Sequence, residues 1–465
     1  MFRAYDVRGL AHEQVSPEAA YLIAREFAEI IKEKYQISSP TIIVGRDCRT
    51  HGPELESAVL HGLLAADCII KEIGVTPTTL NYFAICSTRA DGGIQVTASH
   101  NDKEDNGLKM SLRECEAFYG QDIQQLYNRI IARDEAPMFV QELSKRPQSQ
   151  SITKLDIASS YVARMVEMFP NVGAGKTVVV DAGNGVAGPV YPEVLRQVGC
   201  EVIELYTKPD GNFPNHQPDP SQQHTLKDLQ AKVLEIGADI GFAYDGDADR
   251  MGMVDEQGSI RIADEILMLL AKDYTERNAN GGVVFTATNS ARIPSLVTKW
   301  GGTPIMCPVG SANVEHKMTQ HKAELGGEIS GHFFLAEDYY YFGDPLVATL
   351  RTLSIMKLKN ESISKLMQQF PVAIREPEIR PNCPDDRKAI VVKAMENYYK
   401  QHYDVDTLDG VRVEFGNGAW TGIRQSNTSP KLSISFEAKT EEDINSMKFV
   451  LSEQLKNFPE VEVEL

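Results

Sequence analysis

Positive charge is in short supply in this sequence of 465 residues. Its 47 lysines and arginines face 65 aspartates and glutamates, a formal net charge of −18. Such a chain repels polyanions, which argues against nucleic acid and acidic membrane surfaces as partners. A small anion stays possible, because a local cluster of Arg, Lys and metal can hold a phosphate. Long hydrophobic runs are missing too. No stretch approaches the ~18 apolar residues of a membrane span, and the opening MFRAYDVRGL is charged where a signal peptide needs an apolar core. A cytoplasmic protein is expected. Cysteine is sparse: the seven, at positions 48, 68, 86, 115, 200, 307 and 383, are odd in number, scattered and never in CxxC spacing. Reduced, mostly buried thiols are expected, in place of a disulfide framework or a zinc site.

What is present is an ordinary globular composition, 42% hydrophobic and 24% charged, in a chain long enough for three or four domains. One layout occurs three times: strand, turn, amphipathic helix, small residue, second strand. It runs through TIIVGRDCRTHGPELESAVLHGLLAADCIIKEIG from Thr41, KTVVVDAGNGVAGPVYPEVLRQVGCEVIELY from Lys176 and GGVVFTATNSARIPSLVTKWGGTPIMCPVG from Gly281. Helical spacing places Leu55, Val59 and Leu63 on one face of the first helix. Val190, Val194 and Val198 do so in the second, and Ile293, Leu296 and Trp300 in the third. Units of this kind imply parallel sheets covered by helices, and their recurrence implies duplicated domains. The last ~95 residues differ. VRVEF (411–415) and KLSISFEA (431–438) alternate as half-exposed strands do, and amphipathic helices are expected near 387–401 and 441–457. The fold class is therefore α/β, with three similar mixed α/β domains and a C-terminal α+β domain. The boundaries are placed at 1–152, 153–257, 258–370 and 371–465.

Each repeat runs into a polar loop: TASHND (97–102), DGDADR (245–250) and GEISGH (327–332). Ligands of open α/β sheets bind beyond the carboxyl ends of the strands, so three related domains offer three chemistries from equivalent places. In the first loop Ser99 reads as a helix cap, a turn residue or a nucleophile at the end of a sheet. In the second, Asp245, Asp247 and Asp249 repel one another unless a cation sits between them, and carboxylate oxygens suit Mg²⁺ or Ca²⁺. A calcium EF-hand is disfavoured because Arg250 stands where that loop needs Gly and the flanks read as strands. GNGVAG (183–188) with Glu204 satisfies the dinucleotide fingerprint on paper. Asp181 would oppose a pyrophosphate, however, so a tight strand–helix turn is the reading adopted. Glu328 and Ser330 can hold vicinal hydroxyls, and His332 can carry a proton or touch phosphate. RQSNTSPKL (424–432) sets a guanidinium beside hydroxyls and amides, a set that can fork onto phosphate oxygens or simply form a charged hairpin. Arg3, Tyr5 and Arg8 in FRAYDVRG, with Lys109 in NGLK, are further local positive and polar groups.

FRAYDVRG, TASHN, DGDADR, GEISGH and RQSNTSP, in this order and across essentially the whole chain, resemble the signatures of the α-D-phosphohexomutase superfamily, its phosphomannomutase/phosphoglucomutase branch in particular. The resemblance implies three α/β domains and a fourth of different fold around one central cleft. It implies Ser99 as the phosphoserine, and Asp245, Asp247 and Asp249 as Mg²⁺ ligands with an oxygen at Ser99 completing the site. Glu328, Ser330 and His332 match the sugar-recognition loop; Arg424, Ser426, Asn427 and Thr428 match the loop for the non-reacting phosphate. Tyr5, Arg8, His100, Lys109 and Arg250 match positions lining the reacting end. Thr288, Pro308 and Ser311 stand uncharged where many branch members carry basic residues. The activity implied is interconversion of hexose 6-phosphate and hexose 1-phosphate, of mannose or glucose, through a hexose 1,6-bisphosphate. Ser99, His100, Lys109, Arg250 and His332 are the expected catalytic groups. A small-molecule sugar phosphate is the expected partner and a monomer or dimer the expected assembly. Rival readings are a phosphoglucosamine mutase, a Mg²⁺-dependent sugar phosphatase and a non-catalytic sugar-phosphate sensor.

Overall fold

The computed structural model describes residues 1–3, 5–132, 140–143, 145–426 and 430–461. Its first sheet contains β1 (Val7–Leu10), β2 (Thr41–Arg46), β3 (Ile69–Val75), β4 (Gly92–Val96), β5 (Asp105–Leu112) and β6 (Ile152–Lys154), in the order β1-β5-β4-β2-β3-β6. The second contains β7 (Thr177–Asp181), β8 (Glu201–Leu205), β9 (Ile240–Tyr244), β10 (Met251–Asp255) and β11 (Ile260–Arg261), ordered β11-β10-β9-β7-β8. In the third, β12 (Gly282–Thr286) lies between β13 (Thr303–Cys307) and β14 (Leu325–Gly327), and β15 (Phe333–Leu335) follows in the chain.

The triplication read from the sequence is visible in the registers. β2 is parallel to β3 and β4, β7 to β8 and β9, and β12 to β13 and β14. Central strands flanked on both sides and covered by helices must be apolar throughout, and Ile42, Ile43 and Val44 or Val178, Val179 and Val180 are fully buried. β4 and β9 then pair antiparallel with β5 and β10, so the loops at 97–104 and 245–250 leave from equivalent strand ends.

Leu55, Val59 and Leu63 are buried on the helix Gly52–Ala65, as their spacing predicts. The second helix, Tyr191–Gln197, is shorter than its valines suggest, and Val190 and Val198 cap it from either side. Pro192 fixes its first turn, and Gly199, at φ 101°, turns the chain out after it. Trp300 likewise closes the helix Arg292–Lys299.

The C-terminal sheet is β16 (Ile374–Arg375), β17 (Asp404–Asp406), β18 (Val411–Gly416), β19 (Ala419–Gln425) and β20 (Leu432–Ala438), in the order β16-β20-β19-β18-β17. Helices Asp385–Tyr399 and Glu441–Leu455 accompany it. The half-exposed reading of its strands is corrected here. Every residue of β20 is buried, including the polar alternates Ser433, Ser435 and Glu437. Ser433 and Glu437 are hydrogen-bonded rather than wet: the Glu437 carboxylate accepts from Ser290 at 2.8 Å, and the Ser433 hydroxyl donates to Glu378. In β18, Arg412 is buried because its guanidinium lies 3.8 Å over the Trp420 ring and donates to the Ala287 and Asn289 carbonyls.

Two compact units make up the chain, Met1–Leu270 with Ser330–Met367 and Ala271–Ile329 with Gln368–Leu465. None of the seven cysteines is in a disulfide. No helix among the described residues is long and apolar enough to cross a membrane.

Within the first unit, Asp344 caps the helix Pro345–Lys359 through the Leu346 amide at 3.0 Å. It also accepts the hydroxyls of Tyr161 at 2.9 Å and Tyr339 at 3.0 Å. Burial pushes its carboxyl up to about 6, against those hydrogen bonds and from an ordinary 3.8. The folded protein therefore holds a proton that the unfolded chain releases. This group's contribution to stability is complete below 3.8 and is lost as pH rises through about 6. Asp344→Asn, which imitates the neutral acid, lacks that dependence. The expected result is that stability of the wild type relative to the variant falls by about 3 kcal/mol from below pH 4 to pH 7. Urea unfolding of both proteins across that range measures it, and a constant difference would refute the raised carboxyl.

Candidate active site

The loop after β4 is shaped by backbone first. Ser99 sits in the left-handed region at φ 54° and is 1% exposed; its N–H donates to Thr97 Oγ1 at 2.8 Å. No helix follows. The Asn101 amide closes a turn onto the Ala98 carbonyl at 3.1 Å and the chain enters β5, so the helix-cap reading of Ser99 is replaced by a turn. Ser99 Oγ donates to Asp245 Oδ2 at 2.8 Å, and His100 Nδ1 stands 3.2 Å from Ser99 Oγ.

Asp245, Asp247 and Asp249 occupy the hairpin between β9 and β10, with Ala248 at φ 59° making the turn. Strands flank the loop, as its sequence predicts, so it is no EF-hand. The three carboxylates are buried, and one oxygen from each lies within 4.8 Å of the others. Their remaining lone pairs are mostly filled. Asp245 Oδ1 accepts the amides of Asp249 and Arg250 at 2.9 and 3.0 Å. Asp247 Oδ2 accepts Thr78 Oγ1 at 2.6 Å and Lys109 Nζ at 2.7 Å. Lys109 Nζ also reaches Asp249 Oδ2 at 2.5 Å, and His332 Nε2 reaches Asp249 Oδ1 at 3.2 Å. Asp247 Oδ1, by contrast, is buried without a hydrogen-bond partner. Three converging carboxylates, one oxygen unsatisfied and one hydroxyl beside them, form a donor set that suits a hard divalent cation.

Electrostatics follow from this crowding. Burial, then the charges of Asp247 and Asp249, push the Asp245 carboxyl well above the usual range. Burial opposes ionisation of Asp249 as well, yet Lys109 and His332 hold it well below that range. Burial works against the Lys109 ammonium, and Asp247 and Asp249 outweigh it, so this lysine is held firmly protonated. His100 is driven towards the neutral ring by burial and by Arg250 and Arg8.

Arg8, Arg250 and Ser330 join this cluster. Arg8 Nη1 donates to Asn101 Oδ1 at 2.8 Å, Arg250 Nε is buried without a partner, and Ser330 Oγ meets His332 Nδ1 at 3.0 Å. Tyr5 stacks on Tyr119 with ring centroids 6.4 Å apart. In the second unit, Glu328 accepts the Gly310 amide at 2.8 Å, and Arg424 Nε donates to Asp409 at 3.2 Å. Ser426 Oγ accepts from Arg380 at 3.0 Å, and its carbonyl from Lys388 at 2.8 Å. Asn427 and Thr428 lie outside the described residues. Sequence reasoning missed Thr78, Arg380 and Lys388, none of which stands in a motif. It also missed Asp47 and Arg49, although RDCR, a charged run directly after a strand, was a signal. The GNGVAG turn is tight: a Cβ on Gly188 would lie 1.8 Å from the Thr207 carbonyl oxygen, and Asp181 pairs with His216 at 3.1 Å.

Family models match along the chain in order. They are the phosphoglucomutase/phosphomannomutase alpha/beta/alpha domains I (residues 1–137), II (159–258) and III (263–373) and the C-terminal domain (378–450). A phosphomannomutase/phosphoglucomutase from Pseudomonas aeruginosa is 36% identical over 457 residues, 98% of this chain and 95% of that protein. A phosphoglucomutase from Neisseria gonorrhoeae is 34% identical over 451 residues, 96% of this chain and 95% of the relative. Among solved structures, a phosphoglucomutase/phosphomannomutase family protein from Burkholderia thailandensis superposes with a TM-score of 0.88 at 34% identity, covering 100% of this chain and 99% of that one.

Proposed function

The chain belongs to the phosphoglucomutase/phosphomannomutase family, and on that premise we propose how it works as a hexose-phosphate mutase. Its substrates are the 6- and 1-phosphates of mannose, glucose or both, and the intermediate is a hexose 1,6-bisphosphate. The observation that carries this reading is the buried Ser99 hydroxyl 2.8 Å from Asp245, at the head of a three-carboxylate cluster.

The two reacting oxygens of a hexose lie at opposite ends of the ring. One site serves both if the enzyme keeps a phosphate of its own and the sugar turns over. Phospho-Ser99 gives its phosphoryl group to the free sugar hydroxyl: the Ser99 Oγ–P bond breaks and a sugar O–P bond forms. The hydroxyl proton passes to the departing Ser99 oxygen with Lys109 or His332 as the general acid/base. After the bisphosphate turns, Ser99 Oγ takes the other phosphoryl group by the reverse chemistry. Arg250, Arg8 and Lys109 face the charge that gathers on the transferring oxygens, and neutral His100 orients Ser99 Oγ. Asp245, Asp247 and Asp249 would hold Mg²⁺, whose chemistry is to neutralise the transferring group and polarise the serine oxygen. Glu328 and Ser330 take sugar hydroxyls, Tyr5 lines the reacting end, and Arg424 with Ser426, Asn427 and Thr428 grips the phosphate that does not react. The domain division at 152, 257 and 370 assigns one loop to each domain.

Arg424→Ala is expected to raise KM about 10- to 100-fold, the loss of one charged hydrogen-bonding partner, and to change kcat little. An unaltered KM removes that loop from substrate binding. Turnover of mannose, glucose and glucosamine phosphates in parallel settles the sugar, and release of inorganic phosphate without isomerised product would favour a phosphatase.

A further inference from the structure

We propose that Arg49, with Asp47 and Thr97, is the positioning residue for the nucleophile: it fixes the backbone that presents Ser99 and touches neither substrate nor metal. This rests on the reading of Ser99 as the phosphate carrier.

The Arg49 guanidinium is fully buried, and all five of its N–H donors are committed. Nε donates to Asp47 Oδ2 at 3.1 Å. Nη1 donates to the carbonyls of Asp102 at 2.5 Å and Asp105 at 2.9 Å. Nη2 donates to the carbonyls of Ser99 at 2.9 Å and Asn101 at 2.7 Å. One side chain thus gathers three carbonyls of the loop between β4 and β5 and that of Asp105, the first residue of β5. No donor is left for a phosphate, and the Phe213 ring covers the guanidinium with its centroid 5.2 Å away.

The other half of the anchor runs through Thr97. Thr97 Oγ1 donates to Asp47 Oδ2 at 2.7 Å and in turn accepts the Ser99 amide at 2.8 Å. Asp47 also holds the Arg49 amide at 2.9 Å and is tied to β4 by its own amide on the Val96 carbonyl at 3.0 Å. Both backbone groups of Ser99, N–H through Thr97 and C=O through Arg49, therefore lead to the Asp47 carboxylate. A serine held at φ 54° is unfavourable without such support. With N–H and C=O both fixed, rotation about χ1 is the freedom left to Oγ, which points at Asp245.

The chemistry selects arginine. A lysine has three donors on a point-like ammonium and cannot span four carbonyls and a carboxylate. The experiment uses the full-length enzyme. Arg49→Lys is expected to lower kcat about 100-fold with KM near the wild-type value, as a misplacement of the nucleophile by about 1 Å does. Single-turnover transfer from pre-phosphorylated enzyme should slow equally. In Arg49→Ala, millimolar guanidinium should restore part of kcat by refilling the site. Thr97→Val should lower kcat about 10-fold or more, and Thr97→Ser, which keeps the hydroxyl, should restore it. Wild-type kcat in Arg49→Lys overturns the proposal. So does a loss of activity in Thr97→Val that merely tracks its folded fraction. Full activity in Ser99→Ala would instead remove the premise, an outcome separate from either.

Discussion

Ser99→Ala is expected to lose turnover by roughly 10⁴-fold or more, the scale on which removal of an attacking side chain acts, in enzyme primed with hexose 1,6-bisphosphate. The change removes one oxygen. The loop's anchors are backbone hydrogen bonds to Thr97 and Arg49, and these survive, so the protein should fold as before. Wild-type protein should carry an added mass of about 80 Da, one phosphoryl group, mapped to Ser99. The variant should not carry it. Unchanged turnover in the variant would remove Ser99 as phosphate carrier.

Removing the divalent cation is the second large effect. One oxygen from each of three buried carboxylates lies within 4.8 Å of the others, and the Lys109 ammonium donates to two of the three. Chelation is expected to lower kcat by about 10³-fold, a loss of several kcal/mol of charge stabilisation, and added Mg²⁺ to restore it. Asp245→Asn should fall as far without rescue. A binding readout separates this from catalysis. Mg²⁺ should raise the Tm of the wild type, because a ligand bound only to the folded state stabilises it, and leave Asp247→Asn unmoved. Full activity after exhaustive chelation overturns the metal assignment.

Periodicity and turn chemistry were sufficient for the triplicated strand–helix–strand unit. Each of its β-strands is a short apolar run bounded by a turn, and its helices carry a 3.6-residue stripe. They were also sufficient for the polar loops at 97–102, 245–250 and 327–332, because each follows the strand that pairs beside the first strand of its own unit, β4 on β2, β9 on β7 and β14 on β12. The strand flanks of Asp245 and Asp249 were legible enough to set aside an EF-hand. Burial of both faces of β20 was not, since Ser433 and Glu437 read as solvent-facing until partners from other segments fill their hydrogen bonds.

What the sequence determined by itself is local. It names the residues of the proposed chemistry, Ser99 and the aspartates, and the strand ends on which they stand. What tertiary structure decided is mutual distance: that Asp245 reaches a hydroxyl 146 positions away, that Thr78 reaches Asp247 across 169, and that one arginine gathers four carbonyls. Bonds to backbone carbonyls leave no pattern in a sequence, because every residue has one. Only the folded chain selects which of them converge.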